Sequence, residues 1–281
     1  MTNGLHIYTQ FLRDRRRSSI SWSLGLAAIV GATVAFYPAM EDALTGAATD
    51  NAAMASLFGL GDGIDPSSPL GFTWSNLYAN IVPWVLMALG ISASATAIAG
   101  DEEAGTLEYL LSKPVTRRQI ALARFGGVVT VLVIAAIAAG LTVVATAPFF
   151  DLTTDRVTTA ADGTTITDPG VAFRNVVDGT ISAWAVGLGA AAISFLLSST
   201  TGRRGLTVGI ASGFVIAGYV FYTLSNITGS LEALTWLAPW RWYVADAMFI
   251  DGLAPAVLLP LVSTVIAVAI GTLVFERRDL G

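Results

Sequence analysis

Six stretches of this chain, 18 to 23 residues long, contain no Asp, Glu, Lys, Arg or His. They run from Ile20 to Tyr37, Ala79 to Ala99, Phe125 to Ala147, Gly179 to Thr200, Leu206 to Ser225 and Leu253 to Phe275. A hydrocarbon core of roughly 30 Å takes about 20 apolar residues of helix to cross. With no water at that depth, a spanning segment must satisfy its own backbone hydrogen bonds, and an α-helix does so alone. The reading is an all-α membrane protein with six transmembrane helices in one domain, residues 1–281. Only 12% of the residues are charged, against about 25% in soluble domains, which excludes a solvated enzyme. The absence of cysteine removes disulfides, thiolate metal sites and cysteine nucleophiles. A net charge of −5 argues against a nucleic-acid surface.

Basic residues near span ends set the orientation. Arg13, Arg15, Arg16 and Arg17 precede span one, and Lys113, Arg117, Arg118 and Arg124 lie between spans two and three. Arg203 and Arg204 follow span four, and Arg277 and Arg278 follow span six. These twelve share one side with seven acids, whereas the other side has Arg156, Arg174 and Arg241 against thirteen acids. Both termini are therefore expected in the cytoplasm of a multi-pass cell-membrane protein. Trp74, Trp84, Trp184, Trp236, Trp240 and Trp242 fall near the expected outer interface, and Trp22 near the inner one.

Residues 1–19 read as an interfacial helix with Leu5, Tyr8, Phe11 and Leu12 as its apolar stripe and Arg13 to Arg17 toward phosphates. The outer segments 38–78 and 148–178 read as solvated loops with short hairpins. Gly205, Gly209 and Gly213 recur at four-residue spacing in span five, which suits packing within the chain or a seam between two copies.

Much chemistry is missing. The only lysine, Lys113, follows Leu-Leu-Ser rather than a glycine-rich phosphate loop, so ATP hydrolysis by that machinery is not expected here. The one histidine, His6, cannot form a paired metal motif. Spans without ionisable groups disfavour an ion-coupled carrier.

The most distinctive stretch lies between spans two and three. Asp101, Glu102 and Glu103 suit the first turn of a helix, Ala104, Leu107 and Leu111 share one edge, and Pro114 stops it. Thr116 followed by Gln119 has capping-box spacing for the next helix. The spacing alone fits either a force-transmitting helix or an ordinary loop lying on the bilayer.

Residue identity adds to this. The run from Glu103 to Gln119, EAGTLEYLLSKPVTRRQ, closely resembles the segment after the second span of ABC-2 type transporter permeases. Leu237 to Tyr243 (LAPWRWY) and Phe275 to Leu280 (FERRDL) are more weakly similar to that family. The resemblance implies a permease without its own enzymatic activity, working with a separate ABC ATPase that carries ATP and Mg, and paired with a second permease. It further implies that segment 101–119 is a coupling helix seated in the ATPase. Its matching residues are Glu103, Gly105, Thr106, Leu107, Glu108, Leu110, Leu111 and Pro114, with Leu107, Leu110 and Leu111 buried in the contact and Glu103 and Glu108 paired with basic or polar groups of the ATPase. Arg203 and Arg204 form the second expected cytoplasmic contact. An ATP-driven exporter is the leading expectation. A membrane partner that uses ATPase strokes on an outer-face protein is the alternative, and a stand-alone channel or carrier ranks below both.

Overall fold

The charge-free runs fold into helices that mostly outgrow them. The computed structural model describes residues 2–40, 65, 67–106, 115–159, 165–228, 239–244 and 247–278. In chain order the elements are α1 (Thr2–Ala35), α2 (Pro69–Ala95), α3 (Ala99–Glu103), α4 (Arg117–Thr146), β1 (Arg156–Thr159), β2 (Thr165–Asp168), α5 (Phe173–Thr201), α6 (Arg204–Thr228), α7 (Arg241–Val244), α8 (Met248–Asp251) and α9 (Leu258–Arg277). Among the described residues, α1, α2, α4, α5, α6 and α9 are long and apolar enough to cross a membrane.

Two boundaries differ from the sequence reading. The amino-terminal segment is not a separate helix, because residues 2–19 continue into span one as a single 34-residue helix. Tyr8 and Phe11 of its stripe pack on α4, whereas Leu5 is exposed. Phe11 is buried against Gly127, and Tyr8 Oη lies 2.8 Å from Thr130 Oγ1. The second difference is that α2 begins at Pro69, inside the expected outer loop. Polar residues broke the apolar run there, yet their side chains bond back to their own helix. Thr73 Oγ1 donates to Pro69 O (2.7 Å), Ser75 Oγ to Gly71 O (2.8 Å) and Asn76 Nδ2 to Phe72 O (3.1 Å). Ser68 caps the start, its Oγ accepting from Gly71 N, and Pro69 suits the first helical position.

Within α2, residues Thr73–Ile81 adopt π-helical register, so Val82 N donates to Leu77 O, five residues back. The next donor in that register would be residue 83, which is a proline without an N–H. The carbonyl this strands is that of Tyr78, and the hydroxyl of Tyr243 on α7 donates to it. Tyr243 is wholly buried and packs tilted against Trp74 and edge-on to Trp240. Tyr243→Phe is therefore expected to cost about 1–3 kcal/mol by orphaning a buried carbonyl. Pro83→Ala supplies the missing N–H and should absorb part of that loss, which a double-mutant cycle on thermal midpoints measures.

Helix contacts fix the packing. Leu86 meets Gly187, Ile91 O accepts from Ser194 Oγ (2.9 Å) and Ala95 O from Ser198 Oγ (3.3 Å), so α2 and α5 run in the same direction. Gly189 meets Pro260 and Gly271 meets Leu196, so α9 runs that way too. Phe11 with Gly127 and Gly31 with Thr142 make α1 and α4 likewise parallel to each other.

At the hairpin end, β1 and β2 pair antiparallel with Arg156 opposite Asp168, as the expected short hairpin. Arg156 Nη2 reaches Asp65 Oδ2 at 2.6 Å and Asp168 Oδ2 at 3.4 Å, tying the hairpin to the approach to α2. Burial pushes the Asp65 carboxyl up, but hydrogen bonds from Ser67 and the Arg156 guanidinium outweigh it and hold the group below the ordinary carboxylate range. The tryptophans do not all form an interfacial belt. Trp74 and Trp240 are buried, and Trp240 Nε1 donates to Val215 O (3.3 Å) in the middle of α6. Trp236 lies outside the described residues.

Candidate functional site

At the opposite end of the bundle, where the arginines gather, the chain leaves α2 through a tight turn into α3. A helix end strands carbonyls and a helix start strands N–H groups. One hydroxyl serves both here, because Ser198 Oγ accepts from Ala99 N (2.9 Å) and donates to Ala95 O (3.3 Å). The start of α3 is thereby pinned to α5.

Successive residues on a helix point about 100° apart, so Asp101, Glu102 and Glu103 fan toward three different neighbours. Asp101 forms an ion pair with Arg124 of α4. Glu102 forms one with Arg278, just past α9. Glu103 accepts from the backbone N of Arg204 at 2.8 Å, at the N-terminus of α6, where a carboxylate also meets the positive end of the helix dipole. Arg278 Nη1 further donates to Ser199 O (3.1 Å). Arg117 donates to the carbonyls of Phe275, at 3.3 Å, and Arg278, and lies over the Phe275 ring. Burial pushes the Asp101 carboxyl above its ordinary range, against the opposing pull of Arg124. The pair is thus substantially desolvated.

Gly202 makes this geometry possible. It ends α5 in the left-handed region, with φ 62°, and a Cβ there would lie 2.5 Å from Glu102 Oε2. Only glycine both adopts that conformation cheaply and leaves room for the carboxylate.

The sequence-predicted residues divide into three groups. Glu103, Gly105 and Thr106 are exposed, with Gly105 at φ 67° and Thr106 Oγ1 donating to Asp101 O (3.1 Å). The helix expected to run on through Leu111 is interrupted, because α3 stops at Glu103 and the chain turns at Ala104–Gly105. Leu107, Glu108, Leu110, Leu111 and Pro114 lie outside the described residues. The next helix starts as expected, with Thr116 Oγ1 accepting from Gln119 N and Gln119 Oε1 from Thr116 N, both at 3.2 Å. Arg203 and Arg204 are exposed. The Glu103–Arg204 bond brings the two expected contact segments side by side, which sequence separation concealed.

Arg124, Arg278, Ser198 and Gly202 were missed as parts of one seat. The arginines read only as topology markers, and nothing local distinguishes Ser198 from other hydroxyls in a span. Three acids in a row are the one signal that three partners were needed.

Chemically the cluster can hold a short surface helix rigidly against four spans while leaving its outer face open. Six apolar helices of spanning length make the chain a membrane protein. The family model described as ABC-2 family transporter protein matches residues 5–280. No curated protein matches the chain. With a family match over nearly its whole length, the chain belongs to the ABC-2 family of transporters, as a membrane-spanning permease component.

Proposed function

We propose that this permease couples a separate ABC ATPase to substrate export across the cell membrane, with both termini and the α3 seat on the cytoplasmic side. The observation that carries the reading is the Glu103–Arg204 contact, which joins segment 101–119 to the start of α6. A partner that pushes on this segment acts at once on α2, α4, α5, α6 and the end of α9, through the bonds described above. The exposed side chains of Arg203 and Arg204 extend the same surface. Leu107, Leu110 and Leu111 supply the apolar contact in this proposal, and Glu108 pairs with a basic or polar group of the ATPase.

Pairing with a second permease has its own support. A Cβ built at Gly205, Gly209 or Gly213 meets nothing within 4 Å. Packing among the described residues therefore does not use these three glycines, which suits close approach by another copy.

Co-expression with a candidate ABC ATPase tests the coupling. Leu110→Asp and Glu108→Arg are expected to abolish co-purification of the ATPase and ATP-dependent transport in vesicles. Intact association and transport in both variants would refute the assignment. If association is retained but no substrate moves across a broad panel, the protein uses the strokes on an outer-face partner instead.

A further inference from the structure

Between α4 and α9, at the arginine-rich end, runs a groove of about 450 Å³. Leu122 and Phe125 form one wall, and Val265, Val268 and Leu273 form the other. Arg118 and Glu276, both exposed, stand at its rim. Thr272 also lines the groove, although the residue is only 5% exposed. Its Oγ1 has no hydrogen-bond partner among the described residues. A helical threonine commonly spends its hydroxyl on the carbonyl one turn back. Thr264 does so in the same groove, donating to Pro260 O at 2.7 Å. Thr272 does not, and an unbonded buried hydroxyl is costly unless something else accepts from it.

We propose that this groove binds a phospholipid with a zwitterionic, primary-amine headgroup, of the phosphatidylethanolamine class, with one acyl chain laid along α9. Length is the first argument. Thr264 to Glu276 spans about 18 Å at 1.5 Å per residue, close to one leaflet of a core roughly 30 Å thick. Charge is the second. The rim offers one guanidinium and one carboxylate, so Arg118 donates to the lipid phosphate and Glu276 accepts from the ammonium. An anionic glycerol headgroup brings only neutral hydroxyls to Glu276 where ethanolamine brings an ammonium, and a quaternary choline has no N–H to donate to it. Depth is the third. Thr272 lies one turn below Glu276, where the glycerol ester carbonyls of a lipid follow its phosphate, and its hydroxyl donates to one of them.

Native mass spectrometry of the purified full chain, incubated with palmitoyl-oleoyl phosphatidylethanolamine, phosphatidylcholine or phosphatidylglycerol, tests this. The wild type is expected to retain the ethanolamine lipid about tenfold better than the other two, the ratio that one charge-assisted hydrogen bond supplies. Glu276→Gln should abolish the preference over choline, and Thr272→Val should weaken retention of the ethanolamine lipid severalfold. Ala269→Phe, which fills the groove, should remove the adduct. Glu276 is exposed, so its variant reports on binding even where a buried substitution impairs folding. Equal retention of the three lipids by the wild type would overturn the proposal, as would adducts that are the same in every variant. A change of oligomeric state in Ala269→Phe with unaltered lipid adducts would make the groove an interface between copies, and that also overturns it.

Discussion

Arg124→Ala is expected to lower the thermal midpoint of the detergent-purified protein by about 6–12 °C, measured by the loss of monodisperse elution after heating. Arg124 is 8% exposed and its guanidinium faces Asp101. Removing one partner of a buried ion pair leaves an uncompensated charge, at a cost of about 3–5 kcal/mol. One kcal/mol moves the midpoint by about 2–4 °C in domains of 150–250 residues, and the lower end of the cost gives the range stated. The deficit should also depend on pH in a definite direction. Burial already holds the Asp101 carboxyl above its ordinary range, and loss of Arg124 raises it further. A carboxyl raised in the folded state binds its proton more readily there than in the unfolded chain. The penalty is therefore full above the raised folded value and fades as pH falls through it. A smaller deficit at pH 5 than at pH 8, and recovery by Asp101→Asn in the same background, are the expected results. An equal deficit at both pH values would show that Arg124 contributes through packing on Phe11, over whose ring it lies at 5.6 Å, rather than through charge.

Gly90→Val is expected to prevent a stable bundle from forming. At Gly90 a single Cβ would already lie 2.9 Å from both Gly187 O and Ala191 Cβ, and that carbonyl belongs to helical backbone that cannot swing aside. Across the same contact, a Cβ on Gly187 would lie 2.9 Å from the Leu86 Cβ. Valine adds two methyls to a site with no room for one, so α2 and α5 must separate. Separation then strains the serine bonds from Ser194 and Ser198 that lock the two helices. Overpacking alone costs about 1–3 kcal/mol, and stretched interhelical hydrogen bonds add about 0.6 kcal/mol each in membrane bundles. Gly189→Ala is the matched control. Its nearest neighbour is Pro260 Cβ at 3.6 Å, ordinary contact, and its yield of monodisperse protein should equal that of the wild type. Comparable yields from Gly90→Val and Gly189→Ala would mean that α2 and α5 are not held as closely as described.

The six spans were legible because the absence of charge over about 20 residues is a physical test that few other structures pass. The capping box at Thr116 and Gln119 was legible for a similar reason, since both bonds are local. The start of α2 was not, because Thr73, Ser75 and Asn76 look like loop residues until their side chains bond to the helix beneath them. The burial of Trp240 was not legible, because an indole suits a membrane interface and a packed interior alike, and its partners Trp84, Tyr219 and the carbonyl of Val215 come from distant parts of the chain. The candidate site was half legible. Its acids stood out as a run, but Arg124, Gly202 and Arg278 reach them only through the packing of α4, α5 and α9. Leu107, Glu108, Leu110 and Leu111 rest on residue identity alone.

The ion pair between Glu102 and Arg278 joins residues 176 positions apart. A chain emerging from the ribosome folds its earlier parts first, so α3 is made long before the residue that pins it. The seat can close only after the sixth span has been threaded and its last arginine delivered. Until then Glu102 has no arginine from α9, and the surface proposed to meet the ATPase lacks one of its three anchors. Completion of the last span is thereby written into the proposed docking surface itself. A permease with α9 misinserted would present a different face to its motor and need no separate inspection to be passed over.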